Sequence, residues 1–256
     1  MTLDSLQSSI FTTALLLARI LGVFIFAPGF SMKATPKRFK VLLAIALSAL
    51  LTTYIDYEVI NTPYELITYI CCEFLAGVSI GLISNLFMYA IQTIGEVIDS
   101  LLGTGMFKTE STSNTTSSVT SKILEYIGLL VFFASNSHLY LIYVITRESN
   151  FINIFKAFES GGVLNFIVEI FHFIFINGVH LSIPFVLVFL LIDICLGIMN
   201  RSFSSFNIFL FSMPVKMMLF IVILLYYLAI FTSNLQNLMN MNIDFLNSFI
   251  LFLNPR

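Results

Sequence analysis

The sequence predicts an all-α, hydrophobic membrane-assembly protein of about six to eight helices. Of its 256 residues, 58% are hydrophobic and 10% are charged, and the mean hydropathy is +0.97. Soluble domains carry about 25% charged residues, so a soluble globule of this size would lack the charges to cover its surface. Long apolar runs recur along the chain, and none alternates polar with apolar residues as a half-buried strand does. These observations favour membrane-length helices and no sheet.

Three apolar segments in the first half are predicted as helices, at residues 10–30, 41–55 and 66–92. The first reaches the roughly 20 apolar residues that a bilayer crossing needs. A loop with four basic residues separates it from the shorter second segment. A polar, turn-prone stretch precedes the third segment, which has glycines at near-helical spacing and an alternative end at residue 102. Small residues at that spacing allow helix backbones to approach closely.

The middle of the chain breaks this apolar pattern. Residues 103–121 are rich in glycine at their start and in serine and threonine afterwards, so we interpret them as a polar central loop. An apolar pair at residues 123–133 and 139–145 follows. The turn-forming sequence Ala-Ser-Asn-Ser-His separates its two members. A more polar excursion then precedes the last third of the chain.

The last third is dominated by two long apolar runs. Residues 163–199 form the first, and a break is expected near Pro184 because proline removes a helical hydrogen bond. The second is predicted as a helix at residues 208–231, after which an asparagine-rich tail leads to a short apolar end. No internal repeat divides the chain, so residues 1–256 are predicted to form one domain.

Several predicted helices contain a charged residue. A charge facing hydrocarbon costs about 2.5–3.5 kcal/mol on insertion scales. Such residues therefore face a bundle interior, a cavity or a neighbouring chain. The segment 191–216 carries three of them. The charges within or beside apolar runs are Arg19, Glu73, Glu96, Asp99, Glu125, Glu169, Asp193, Arg201 and Lys216.

Several classes of function lack their sequence features. The net charge of −2 and the absence of a basic tract exclude a nucleic-acid partner. The chain has no phosphate-binding loop, nucleophile elbow or His-Glu-x-x-His motif, so an enzyme is not expected. Its three cysteines and three widely spaced histidines are read as core or interface residues, with no metal and no cofactor.

The order of these features resembles a known family. An arginine, a proline and a proline-containing basic loop come first. Next are an acid followed by two glycines, and then a helix with glycine and acids before the central loop. A charged C-terminal segment completes the pattern. The residues that carry it are Arg19, Pro28, Pro36, Arg38, Glu73, Gly77, Gly81, Gly95, Glu96, Ile98, Asp99, Gly103, Asp193, Leu196, Gly197, Arg201, Asn207, Phe209, Pro214 and Lys216. Together they resemble the FliR/SctT family, core subunits of the flagellar and type III secretion export gate.

This resemblance implies a function, a location and a set of partners. The chain would join SctR-like and SctS-like subunits in a helical export gate, with an SctU-like protein at its base. The flagellar counterparts are FliP-, FliQ- and FlhB-like. The gate would sit in the bacterial inner membrane, project towards the periplasm and pass unfolded proteins outward. Asp99 is more similar to the injectisome branch than to the flagellar one, which favours an SctT-like subunit. Ser204 and Ser205 stand where the family often has proline and glutamine.

The resemblance also implies a gate element within the central loop. Gly105, Met106 and Phe107 lie where the family places an inward loop that obstructs the closed pore. Glycine gives the backbone freedom, methionine is deformable and phenylalanine supplies bulk. An ordinary exposed loop with one anchoring aromatic residue is the alternative interpretation.

The charged residues are predicted to make buried or inter-subunit polar contacts. Arg19 is expected to pair with an acid such as Glu73, or to lie at a subunit contact. Asp193 and Arg201 are eight residues apart, which is about 12 Å along one helix. They can therefore bond only through a bend or another chain. Lys216 across a helical hairpin is the other candidate for Asp193.

Two more polar predictions concern the helix before the central loop and the C-terminal segment. Glu96 and Asp99 are three residues apart and are expected to share one helix face, as pore lining or a subunit contact. Asn207 is placed among the polar contacts by the resemblance. The alternative function is a self-contained small-solute transporter or channel. Such proteins usually show symmetric repeats with paired broken helices, which this sequence lacks. A membrane enzyme using the Glu96 and Asp99 carboxylates is a third possibility.

Overall fold

The described part of the protein is helical throughout its regular structure. The computed structural model describes residues 3–31, 35–53, 63–103, 119–147, 162–202 and 208–253, and these ranges contain helices and turns without a strand. Their eight helices are α1 (Leu3–Phe26), α2 (Lys37–Leu51), α3 (Pro63–Ser84), α4 (Leu86–Leu102), α5 (Val119–Ala134), α6 (Ser137–Arg147), α7 (Gly162–Ser202) and α8 (Ile208–Leu253). The predicted all-α class and helix number are confirmed.

The first predicted helix ends earlier than expected. α1 ends at Phe26, and a turn follows in which the Ser31 N–H donates to the Ala27 carbonyl at 2.9 Å. Gly29 adopts a φ of +78°, a conformation that other residues reach only with strain. Pro28 begins this turn, and the rings of Phe24 and Phe30 stack across it at 4.5 Å.

The third apolar segment is two helices rather than one. α3 ends at Ser84 and α4 begins at Leu86, so the prediction of one helix over residues 66–92 is wrong at this point. The Ser84 hydroxyl donates to the Ile80 carbonyl at 2.7 Å. Serine bonds of this kind compete with the backbone and bend helices. The buried Asn85 occupies the break, where its N–H donates to both the Gly81 and Leu82 carbonyls.

The predicted division between residues 133 and 139 is confirmed. α5 and α6 meet at a bend of 63°. Asn136 lies in the bend with a φ of +57°, and its carbonyl accepts from the Leu139 N–H at 3.0 Å. Asparagine tolerates this left-handed conformation better than most residues.

The expected break near Pro184 is absent. Pro184 lies inside the continuous helix α7. Proline lacks the N–H that would bond the carbonyl four residues earlier. The buried positions of α7 nevertheless continue through it, because Leu181, Phe185 and Phe189 recur at helical spacing on one side. The helix therefore has buried, packed residues on both sides of the proline.

The asparagine-rich tail is also helical, contrary to the prediction that the last long helix ends at residue 231. α8 runs without interruption from Ile208 to Leu253. Its buried residues follow the helical period of three to four positions along one side, at Leu235, Leu238, Met239, Asn242, Leu246 and Phe249. The asparagines dilute the apolar composition but leave this helical periodicity intact.

The chain divides into two compact units. Unit 1 contains Met1–Leu86, Phe132–Ile170 and Met239–Arg256, and unit 2 contains Phe87–Val131 and Phe171–Leu238. In unit 1, α1 packs along α3 and also contacts α2. In unit 2, the fully buried α4 residues Ile91, Ile94 and Ile98 form the centre. The single domain expected from the sequence stays a prediction.

In the part of the chain that the structure describes, four helices have the length and hydropathy of membrane spans. The candidate spans are Ser9–Phe26, Tyr64–Ser84, Val168–Met199 and Ser212–Ile250, and the bent pair of α5 and α6 is a fifth if it counts as one span. The first two candidates are 50% and 39% buried within the protein, the last two only 22% and 17%. The long helices α7 and α8 therefore leave most of their apolar surface to be covered by something else.

Candidate functional site

Arg19 is the centre of a buried polar cluster in unit 1. Its Nε lies 2.7 Å from Oε2 of Glu73, and its Nη2 donates to Oε1 at 3.2 Å. The two side chains are 0% and 1% exposed. This two-point arrangement is the strong form of an arginine–carboxylate contact. The pairing expected between Arg19 and Glu73 is present.

The same guanidinium also reaches a third helix. Arg19 Nη1 donates to the Ile145 carbonyl at 2.6 Å, in the last turn of α6. The last four carbonyls of a helix have no partner within the helix, and a cation there is favourable. One side chain of α1 therefore joins α3 and α6.

Glycines bring the backbones of α1 and α3 into contact around this cluster. A Cβ placed on Gly77 would lie 2.0 Å from the Arg19 carbonyl oxygen, and one on Gly22 would lie 2.5 Å from that of Phe74. A Cβ on Gly81 would similarly lie 2.6 Å from the Val23 carbonyl oxygen. Only glycine fits such approaches, which keep Glu73 within reach of Arg19. The sequence singled out the α3 glycines but missed Gly22, whose place in the middle of an apolar helix was its signal.

A second polar contact lies in unit 2, across α4 and α5. The hydroxyl of Ser121 donates to Asp99 Oδ2 at 2.5 Å, and both residues are buried. One turn earlier on α4, a Cβ on Gly95 would meet Ser121 Oγ at 2.7 Å. These contacts join the helices on either side of residues 104–118. The predicted residues Gly105, Met106 and Phe107 lie outside the described ranges.

Glu96 and Asp99 do not share an environment. Asp99 is 4% exposed, whereas Glu96 is exposed and accepts a hydrogen bond from Gln92 Nε2 at 3.2 Å. Residues three apart on a helix are about 60° apart around its axis. That angle is enough to place Asp99 on the buried side of α4 and Glu96 on its exposed side. The two carboxylates are therefore neighbours around the helix but lie in different environments, and their role as pore lining or a subunit contact stays a prediction.

Lys216 forms a third cluster, also in unit 2. Its Nζ lies 2.5 Å from Asp193 Oδ1 and donates to the Leu101 carbonyl at 2.9 Å. Leu101 is in the last turn of α4, where a cation is favourable. Of the two intrachain partners considered for Asp193, Lys216 is therefore in contact. The side chain of Arg201 and the whole of Asn207 lie outside what the structure describes.

The three clusters are suited to holding helices together. Asp99 is bonded to a hydroxyl, and Glu73 and Asp193 are bonded to cations. In the described ranges, no group of three or more histidine, cysteine or acidic residues could hold a metal ion. Sequence reasoning missed Ser121 and the two carbonyl acceptors, Ile145 and Leu101. Backbone acceptors carry no signal in residue identity, and Ser121 lay within a run of serines and threonines.

Comparison with known proteins places the chain among export proteins. The profile of Bacterial export proteins, family 1, matches residues 10–241. The flagellar biosynthetic protein FliR of Buchnera aphidicola subsp. Schizaphis graminum is 27% identical over 238 residues, covering 90% of each chain. FliR of Aquifex aeolicus is 27% identical over 249 residues, covering 92% of this chain and 93% of its own. FliR of Escherichia coli is 26% identical over 213 residues, 78% of each chain.

Proposed function

The chain belongs to the family of bacterial export proteins, family 1, and from this membership we propose that it is a core subunit of a type III secretion export gate. In this role it helps to form the closed pore through which unfolded proteins leave the cytoplasm. The observation that carries the proposal is the extent of the match, since residues 10–241 include all three polar clusters.

The described surface supports a role within an assembly. The candidate spans in α7 and α8 are 22% and 17% buried within the chain. Glu125, Glu169 and Asp193 are exposed on otherwise apolar helices. Lipid offers such carboxylates no hydrogen-bond donors, whereas other protein subunits do. The surface is therefore better suited to neighbouring protein subunits than to lipid on all sides.

The proposed gate subunit has no catalytic chemistry of its own. Its partners are SctR-, SctS- and SctU-like proteins, or FliP-, FliQ- and FlhB-like proteins in a flagellar system. It lies in the bacterial inner membrane, and the assembled gate projects towards the periplasm. Other components of the system supply the energy for export.

Genetic complementation tests the function and its branch together. We expect the gene to restore protein export in a strain lacking FliR, or in one lacking SctT, when the matching partner proteins are supplied. The relatives reported above are flagellar by name, and they do not support the injectisome preference based on Asp99. Restoration in neither strain, with the protein present in the membrane, would contradict the proposal, as would solute transport by the purified chain alone.

The proposed gate element is the loop region that begins at Gly105, Met106 and Phe107. Its support is the family resemblance of these residues. Deleting residues 106–118 should raise ion leakage through the closed gate, because the deletion removes the bulk that obstructs the pore. Single-channel conductance of the reconstituted complex measures this. Unchanged conductance in a fully assembled complex would refute the assignment.

A further inference from the structure

The C-terminal part of α7 is largely apolar, and one side of it carries an acid and a glycine. Beyond Phe189, the residues of α7 whose exposure is described, up to Met199, include none that is buried. Leu190, Ile194 and Ile198 are 50%, 51% and 65% exposed. With Asp193 and Gly197 they fall within an arc of about 140° around the helix. These five residues are called the Asp193 face.

Asp193 makes this face electronegative. In its ion pair with Lys216, the lysine side chain is 10% exposed and the aspartate side chain is 50% exposed. Lys216 is turned inward, because its Nζ also donates to the Leu101 carbonyl. The part of the pair that a neighbouring molecule meets is therefore the carboxylate. Its natural complement is a cation or a strong hydrogen-bond donor.

Gly197 is unlike the six other helical glycines whose surroundings the structure describes. A Cβ would lie less than 3.0 Å from a neighbouring helix at Gly22, Gly77, Gly81, Gly95, Gly128 and Gly178. At Gly197 it would meet no atom of the described residues within 4 Å. Glycine weakens a helix relative to alanine, and at the other six positions a close helix contact within the chain accounts for it. Gly197 is a glycine in the middle of the Asp193 face for which the described residues provide no such close helix contact.

We propose that the Asp193 face binds an apolar helix of a different subunit, which crosses α7 closely at Gly197 and places a lysine or arginine beside Asp193. Small residues allow membrane helices to approach within backbone contact. A buried cation would complete the hydrogen bonding of the exposed carboxylate.

The charge of Asp193 favours a helix of a different subunit over lipid or a second copy of this chain as the molecule that covers the Asp193 face. Lipid tails supply neither a donor for Asp193 nor a reason for glycine at position 197. A second copy of the chain, packed symmetrically on the same face, would bring two Asp193 carboxylates together, which is unfavourable. The inference rests on the proposed function, because it assumes that the chain works within an assembly of several membrane proteins.

Photo-crosslinking in membranes of the bacterium that encodes the protein tests this contact. A benzophenone amino acid is placed at Ile194, and at Leu225 on the exposed side of α8 as a control. We expect the adduct from Ile194 to map by mass spectrometry to one apolar helix of another protein, with a basic residue within one turn of the attachment site. An adduct with lipid alone, with a second copy of this chain, or with a helix lacking a basic residue would overturn the proposal.

Two sets of variants test the close approach and the charge. Gly197→Leu should lower the yield of the adduct about tenfold, whereas Ala229→Leu, which places the same side chain at an exposed position of α8, should not. Asp193→Asn should also lower the yield of the adduct, both as a single variant and in combination with Lys216→Gln. In the double variant the internal pair is neutral, so a recovered yield would show that Asp193 serves only Lys216 and would overturn the proposal.

The crosslink and the export assay fail independently. The adduct from Ile194 reports the contact itself and requires no export. If complementation fails but the adduct forms as described, the proposed docking surface is supported and the proposed export function is refuted. If export is restored but the adduct contains only lipid, the docking surface falls and the export function stands.

Discussion

Arg19 shows what a single charged residue does in this protein. Its guanidinium bonds both oxygens of Glu73 and the end of α6 while remaining fully buried. A buried ion pair contributes little net stability, since desolvation offsets the attraction. Removing one partner is costly, however, because it leaves an unpaired charge inside the protein.

Replacing Arg19 should therefore destabilise unit 1 strongly. Arg19→Met leaves Glu73 unpaired and should lower the free energy of unfolding by about 3–5 kcal/mol. Arg38→Met, at an exposed position of α2, is the matched control and should change it little. Thermal unfolding in detergent measures both. Adding Glu73→Leu to Arg19→Met should recover part of the loss in the free energy of unfolding. If Arg19→Met changed this free energy as little as the control Arg38→Met, the cluster would contribute nothing to stability.

Asn242 has the opposite character. It is fully buried, and within the described ranges neither of its amide atoms has a hydrogen-bond partner. An unsatisfied buried polar group costs about 1–3 kcal/mol. Asn242→Leu should therefore raise the melting temperature of the purified protein. Asn240→Leu, at an exposed position two residues earlier, should leave it nearly unchanged, and a lower melting temperature for Asn242→Leu would refute this interpretation.

At the scale of elements, helix breaks and helix contacts follow different rules. The sequence placed the bend between α5 and α6 correctly, because a cluster of turn-forming residues separates two apolar segments there. It failed at Pro184, where packing on both sides overrides the lost hydrogen bond. It also missed the break at Asn85, which follows a serine whose hydroxyl bonds the helix backbone. Local chemistry predicts a boundary only where packing does not oppose it.

Glycine substitutions should show how α1 and α3 pack. Gly77→Ala would place a Cβ 2.0 Å from the Arg19 carbonyl oxygen. The two helices must then separate, at a cost of about 1–3 kcal/mol. Gly197→Ala meets no neighbour among the described residues of the chain and should instead stabilise α7 by about 0.5–1 kcal/mol. Thermal unfolding of both purified variants tests these opposite signs, and the same sign for both would contradict this account of the glycines.

At the scale of the whole molecule, the described residues leave the two longest apolar helices largely uncovered. The two longest candidate spans lie in α7 and α8 and are the least buried within the chain. Monomeric soluble proteins rarely expose continuous apolar surface of this extent. Exposed acids on the same helices are poorly suited to lipid. Both features are typical of a subunit that is completed by its neighbours.

The protein should therefore depend on its partners for stability. Expressed alone, it should be extracted in low yield and should aggregate on storage in detergent, and co-expression with the SctR- and SctS-like, or FliP- and FliQ-like, proteins of the same bacterium should raise the yield and give a monodisperse complex. Size-exclusion chromatography in one detergent compares the two preparations. A stable, functional monomer would overturn the assembly role. Co-expression with an unrelated membrane protein is the control for general effects on insertion.

The sequence by itself determined the helical class, the membrane-like composition, the family resemblance and the positions of the important charges. These properties depend on residue type and spacing along the chain. Only the tertiary structure decided which charges meet. It paired Arg19 with the end of α6, Lys216 with Asp193 and the end of α4, and Asp99 with Ser121. It also showed that Asp99 is buried whereas Glu96 is exposed. Such contacts join residues distant in sequence, often through backbone carbonyls that every residue type carries, so residue identity alone could not select them.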